Sequence, residues 1–176
     1  YNNVLDAAAA WEMVNDFEQP AVAVMKHGNP CGFAVGDGAQ EEIYRRAYEG
    51  DTVSIFGGIV ATNRPLGVEM AKAMRGVLLH VIIAPDFDSE ALKILRGRKQ
   101  ARILKAPMDP SPPAETKLPL ASMQVRSVPG GFLVQSPDDI LPDRLVTTVV
   151  SDRKPTEEQM VELRFAWRTM RHVKSN

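Results

Sequence analysis

Cysteine is all but missing from this sequence: Cys31 stands alone. No internal disulfide can form, and no cysteine-rich structural zinc site can be assembled. Histidine is scarce too, and none of His27, His80 and His172 stands with a carboxylate at the spacing of a metalloprotease helix, so no metal is expected. No run of about 18 apolar residues occurs, which excludes a helical membrane span. The opening residues lack the basic, apolar and small-residue order of a secretory leader, and the expected compartment is the cytoplasm. Nor is there an excess of charge of one sign. The 21 basic and 22 acidic side chains leave no net field to draw in a polyanion, and nucleic-acid binding is not expected.

What is present suits a folded, soluble domain. Of the residues, 44% are apolar and 24% charged, enough to bury a core of one domain or slightly more. Leu5, Ala8, Trp11 and Val14 recur at three-residue spacing and predict a helix over 3–17, ended by Pro20. The apolar run 21–25 predicts a buried strand that empties into a tight loop at Lys26, His27, Gly28, Asn29, Pro30, Cys31 and Gly32. A helix over 39–48 and a strand over 53–61, interrupted by Gly57 and Gly58, repeat the order. A helix over 68–74 and an almost continuously apolar strand over 78–84 repeat it again, and 91–95 suits a further helix. Such alternation predicts an α/β sheet with helices on its faces. The prolines between 106 and 119 read as a surface connection. Strands resume at 123–128 and 132–135 around Gly130 and Gly131. Thr156 and Gln159, with Pro155 before them, mark the start of a last helix. Its stripe of Met160, Leu163, Trp167 and Met170 reads as core.

Lys26 and His27 are the first candidates for chemistry. Histidine takes a proton near neutral pH, and an adjacent ammonium steadies developing negative charge or returns a proton. A charged pair that simply ends a strand is the competing reading. Asn29 to Gly32 can be a turn that presents backbone N–H groups to an anion. Cys31 is either a nucleophile or a small packing residue. Phe56, Gly57 and Gly58 put a ring beside residues that permit close backbone approach, and a strand bulge explains them equally. Arg96, Arg98, Lys99 and Arg102 read as solvated charge at a helix end. Lys174, Ser175 and Asn176 are either donors to a polar site or frayed terminal residues.

The blocks YNNVLDAAAAW at the start, KHGNPCG at 26–32, DTVSIFGGIVATNRP at 51–65, VIIAP at 81–85, PGGFLVQ at 129–135 and FAWRTMRHVKSN at 165–176 stand together in one order. In that order they resemble the transformylase portion of the bifunctional AICAR transformylase/IMP cyclohydrolase family. The resemblance covers nearly the whole chain. It implies a cytidine-deaminase-like layered α/β/α sheet without the deaminases' zinc ligands, with a first transformylase subdomain over 1–145. Residues 146–176 would be a connecting strand and helix leading into a second, truncated subdomain. It also implies a fragment, since the family is much longer: a cyclohydrolase domain and an arginine-tyrosine substrate segment would precede it, and the rest of the second subdomain would follow.

The implied activity is formyl transfer from 10-formyltetrahydrofolate to the 5-amine of AICAR in purine (IMP) biosynthesis, with active sites shared between two subunits of a homodimer. On this resemblance His27 is the catalytic base, Lys26 assists proton delivery or charge stabilisation, and Asn176 binds the oxyanion of the intermediate. Asn29, Phe56 and Gly57 belong to the segments near the substrates. His80 stands where the family has an acidic substrate contact, and Ile55 and Arg171 depart more mildly, from alanine and lysine. Two other readings compete: a non-catalytic binding or assembly module that keeps only the fold, and a zinc-dependent nucleobase deaminase, for which no ligand set can be assembled.

Overall fold

The short apolar runs become strands of one sheet in the computed structural model, which describes residues 1–106, 123–138 and 146–175. The chain divides into two compact units, Tyr1–Met108 with His172–Asn176, and Asp109–Arg171. Along the first unit come α1 (Asn2–Asn15), β1 (Ala21–Lys26), β2 (Asn29–Val35), α2 (Gln40–Tyr48), β3 (Gly58–Thr62), α3 (Val68–Ala73), β4 (Leu79–Ala84), α4 (Ser89–Arg96) and β5 (Arg102–Lys105). The sheet order is β2-β1-β3-β4-β5. Strand β1 is antiparallel to both neighbours, whereas β3, β4 and β5 are mutually parallel. Helices α3 and α4 supply the crossovers that parallel pairing needs.

Alternation along each strand decides which layer a side chain enters. Val22, Val24, Val60, Ile82 and Ala84 join one buried cluster with Ile43 and Tyr44 of α2, Met70 of α3 and Leu95 of α4. Their neighbours Ala21, Ala23, Met25, Ile59, Ala61 and Val81 are equally buried, and α1 packs over β1, β3 and β4. Helices therefore cover both faces, the layered α/β/α arrangement expected from the alternation.

Four local expectations are corrected. Helix α1 buries Ala7, Ala10, Trp11 and Val14, while Leu5 and Ala8 are exposed; the small alanines let the helix approach the sheet, so its core face starts one turn later. Residues 29–32 are not a turn but the start of β2. The strand expected over 53–61 begins only at Gly58, because Asp51 folds the preceding residues into a turn by accepting from the Val53 and Ser54 N–H groups. The basic run after α4 is not all solvated charge. Arg98 donates to the Met74 carbonyl (2.9 Å) and to that of Val77, closing the end of α3, and Arg102 opens edge strand β5.

A polar clamp joins the layers. Buried Asn63 donates through Nδ2 to the carbonyls of Val14, Phe17 and Gln19, each at 2.9 Å, and its Oδ1 accepts from the Ala21 N–H at 2.8 Å. It thus ties the end of β3 to the link between α1 and β1. Asn63→Ala leaves these groups unpaired and is expected to cost about 2–3 kcal/mol. Urea unfolding followed by the fluorescence of buried Trp11 measures it; a loss under about 0.5 kcal/mol would show that water replaces the amide without penalty.

In the second unit, β6 (Gln124–Val128) and β7 (Gly131–Gln135) form a hairpin in which Val128 pairs with Gly131. Pro129 and Gly130 make its loop, with Gly130 at φ 87°, the proline-then-glycine order of a type II turn. Helix α5 (Glu157–Met170) starts with the expected capping box between Thr156 and Gln159. Its apolar stripe is not core, which corrects the sequence reading: Leu163, Trp167 and Met170 are 55%, 63% and 59% exposed. Periodicity reports a face that wants covering, not what covers it. The proline segment and the expected subdomain boundary at 145 lie outside the described residues, at 107–122 and 139–145.

Candidate active site

The site grows from the hairpin between β1 and β2. Lys26 pairs with Asn29, leaving His27 and Gly28 as its two-residue loop, with φ of 55° and 74°. Positive φ at both loop positions is the type I′ pattern, which matches the strand twist and normally takes Asn-Gly or Gly-Gly. Histidine has a Cβ that crowds the backbone there, so a costly residue occupies the exposed corner. Turn chemistry alone does not select it.

Three loop ends converge beside this corner. Lys26 Nζ donates to the Phe56 carbonyl at 2.7 Å, which fixes the ammonium against the loop before β3. Gly57, at φ 74°, donates its N–H to the Leu78 carbonyl at 2.9 Å. A Cβ added to Gly57 would fall 3.1 Å from His80 Cε1, so the imidazole lies on the glycine backbone. Gly58 is required by crowding: its Cβ would meet the Ile55 carbonyl oxygen at 2.8 Å and that of Met25 at 3.0 Å. Close approach explains this glycine pair, and the register of β3 on β4 also shifts between Gly58 and Ile59, as the bulge reading expects. Phe56 remains 67% exposed, a ring free to stack on a planar ligand.

Of the residues singled out from the sequence, Lys26, His27, Phe56, Gly57 and His80 thus meet at one edge of the sheet. Asn29 faces a different neighbour: its Oδ1 accepts from the Lys174 N–H at 2.7 Å. Asn176 lies outside the described residues. The edge is also unlike the one expected for an α/β sheet. Since β1 opposes β3, the end of β1 meets the beginnings of β3 and β4, and the site does not sit at the carboxyl ends of the parallel strands.

Cys31 is a packing residue. It sits half-buried against the core cluster, and burial, reinforced by Asp51 and opposed by Lys26, pushes its thiol up. A raised value leaves less thiolate at any given pH, the opposite of an activated nucleophile. At pH 8 a disulfide reagent is expected to label it at least about tenfold more slowly in the folded chain than in urea; equal rates would return the thiol to the candidate nucleophiles. Asp51 itself is held below the usual carboxylate range, first by its hydrogen bond from the Ser54 side chain. This brace was missed, although the Asp-x-x-Ser spacing of a capped turn stands at 51–54. Among the described residues no three His, Cys, Asp or Glu side chains converge as metal ligands, and no helix is long and apolar enough to cross a membrane.

One edge of this layered α/β unit thus gathers a histidine at positive φ, an ammonium held on a backbone carbonyl and an exposed aromatic ring. The chain belongs to the AICARFT/IMPCHase bienzyme family, whose pattern matches residues 1–176. It is 43% identical over 183 aligned residues to the bifunctional purine biosynthesis protein purH of Dictyostelium discoideum, and 43% identical over 176 to bifunctional purine biosynthesis protein PurH of Bacillus cereus strain AH187. Each match covers 100% of this chain and 33% of the relative, so the chain spans about a third of the length of the curated relatives it matches.

Proposed function

We propose that this chain carries the proton-transfer part of an AICAR formyltransferase site in purine biosynthesis, and that turnover belongs to a longer protein of which this is a portion. The observation that carries the reading is His27 held at positive φ in the hairpin loop beside an ammonium fixed on the Phe56 carbonyl. The strain is accounted for if the imidazole is needed at that corner.

His27 accepts a proton from the AICAR amine as its nitrogen attacks the formyl carbon. Concerted removal matters, because the amine is conjugated to its ring and is a poor nucleophile. Lys26 stabilises charge on the tetrahedral intermediate. When the bond from the formyl carbon to folate N10 breaks, the proton passes to N10 and tetrahydrofolate leaves. Phe56 and Gly57 border the planar substrates, and His80 stands at a substrate contact, where a neutral imidazole can accept a hydrogen bond. Asn176 binds the oxyanion. The partners are AICAR, 10-formyltetrahydrofolate as formyl donor with no zinc, and a second copy that completes shared sites; the compartment is the cytoplasm.

Titration calorimetry of AICAR and a folate analogue into this chain, beside its Lys26→Ala and His27→Ala variants, tests the placement. Binding that either change weakens supports the site at the Lys-His pair. Binding equal in all three proteins would put the ligands elsewhere.

A further inference from the structure

The hairpin loop is held from the far end of the chain. Residues His172–Asn176 belong to the first unit, and two contacts anchor the described part of this segment there. His172 Nε2 lies 2.5 Å from Asp16 Oδ2 at the end of α1, both side chains largely covered. Two residues later the Lys174 N–H donates to Asn29 Oδ1 at 2.7 Å, across 145 positions of sequence. The Lys174 ammonium also arches over the loop: a Cβ at Gly28 would stand 3.8 Å from Lys174 Nζ and 3.9 Å from Asp6 Oδ1.

From these contacts we infer that Asn29 is a positioning residue, whose side-chain carbonyl latches residues 172–175 against the His27–Gly28 loop. Resting on the formyl-transfer reading, this gives Asn29 a role through other residues. Asn29 closes the hairpin opposite Lys26, so a force on its side chain is transmitted to both ends of the loop. A two-residue loop with a histidine at positive φ gives up strain if it relaxes, and an outside tether opposes that relaxation. The same hydrogen bond fixes the backbone at Lys174 beside the hairpin loop. The acceptor must be a side-chain oxygen two bonds from the Cβ: aspartate supplies it and alanine does not.

The test has two arms. In this chain, amide hydrogen exchange at Lys174 is expected to be protected in the parent and in Asn29→Asp, and faster by about tenfold or more in Asn29→Ala. In the full-length protein, Asn29→Ala is expected to lower kcat about ten- to a hundredfold with little change in KM for AICAR, since misplacement by about an ångström has such an effect. Asn29→Asp should restore most of the rate. Unchanged Lys174 exchange in Asn29→Ala would overturn the latch. A rise in KM at constant kcat would overturn the positioning role and make Asn29 a substrate contact. Absence of formyl transfer by the unaltered full-length protein would instead count against the functional reading, and the exchange arm would still decide the latch.

Discussion

Replacing His27 with asparagine in the full-length protein is expected to slow formyl transfer by roughly a hundredfold or more, while the first unit keeps or slightly gains stability. Both effects come from the same corner. Asparagine has no group that takes a proton near neutral pH, so the amine must attack without its base. Yet asparagine tolerates positive φ better than histidine and is the usual first residue of a type I′ loop, so the strain at φ 55° eases by about 0.5 kcal/mol. Opposite signs distinguish a functional histidine from a structural one. Rates at saturating substrate and urea midpoints followed by Trp11 fluorescence give the two readings. An unchanged rate would remove His27 from the role of base; lower stability would show that its ring holds the loop. Lys26→Ala should lose rate to a similar degree, with the added loss of the bond to the Phe56 carbonyl.

Much of the first unit was legible from periodicity, and the failures share a cause. Helices α2, α3 and α4 and strands β1 and β4 carry either a clear amphipathic spacing or a nearly continuous apolar run, and they form within a residue or two of the expected bounds. Strand β2 was hidden because Asn29, Pro30 and Gly32 carry turn chemistry, while their actual conformation is imposed by pairing with β1. Strand β5 was hidden because Arg102 and Lys105 flank Ile103 and Leu104 at the sheet edge, where charge is tolerated. The α5 stripe shows the converse error, an apolar period without a described cover.

For the site, composition offered only a Lys-His pair, a lone thiol and a ring beside two glycines. The order of the motif blocks selected Lys26, His27, Asn29, Phe56, Gly57, His80 and Asn176; of these the sheet brings Lys26 and His27 at the end of β1, Phe56 and Gly57 in the loop before β3, and His80 in β4 to one edge. Asn63 gave no signal, and Lys174 was legible only as a possible donor without a partner, because each acts on groups more than forty positions away. Register and long-range hydrogen bonding are properties of the assembled sheet, so no window along the chain reveals them.

Gly32→Ala is expected to be the most damaging small substitution in the first unit, at least about 4 kcal/mol. A Cβ at Gly32 falls 1.8 Å from the Ala47 carbonyl oxygen and 2.9 Å from its carbonyl carbon. Those atoms belong to the backbone of α2, which has no rotamer to change, so the helix must move off the sheet. Gly50 faces the same contact, with its added Cβ 2.9 Å from the Cys31 carbonyl oxygen and 3.0 Å from Gly32 Cα. Two glycines thus let the end of α2 touch β2 backbone to backbone. The damage would reach the site, because β2 also carries Asn29 and closes the His27 loop. Gly76→Ala separates the causes: at φ 81° with nothing within 4 Å of its Cβ, it suffers backbone strain alone, about 1 kcal/mol. Urea unfolding of both variants by Trp11 fluorescence makes the comparison. A Gly32→Ala loss no larger than that of Gly76→Ala would mean that α2 yields freely, and the close approach would then not be what holds β2 and the hairpin loop in place.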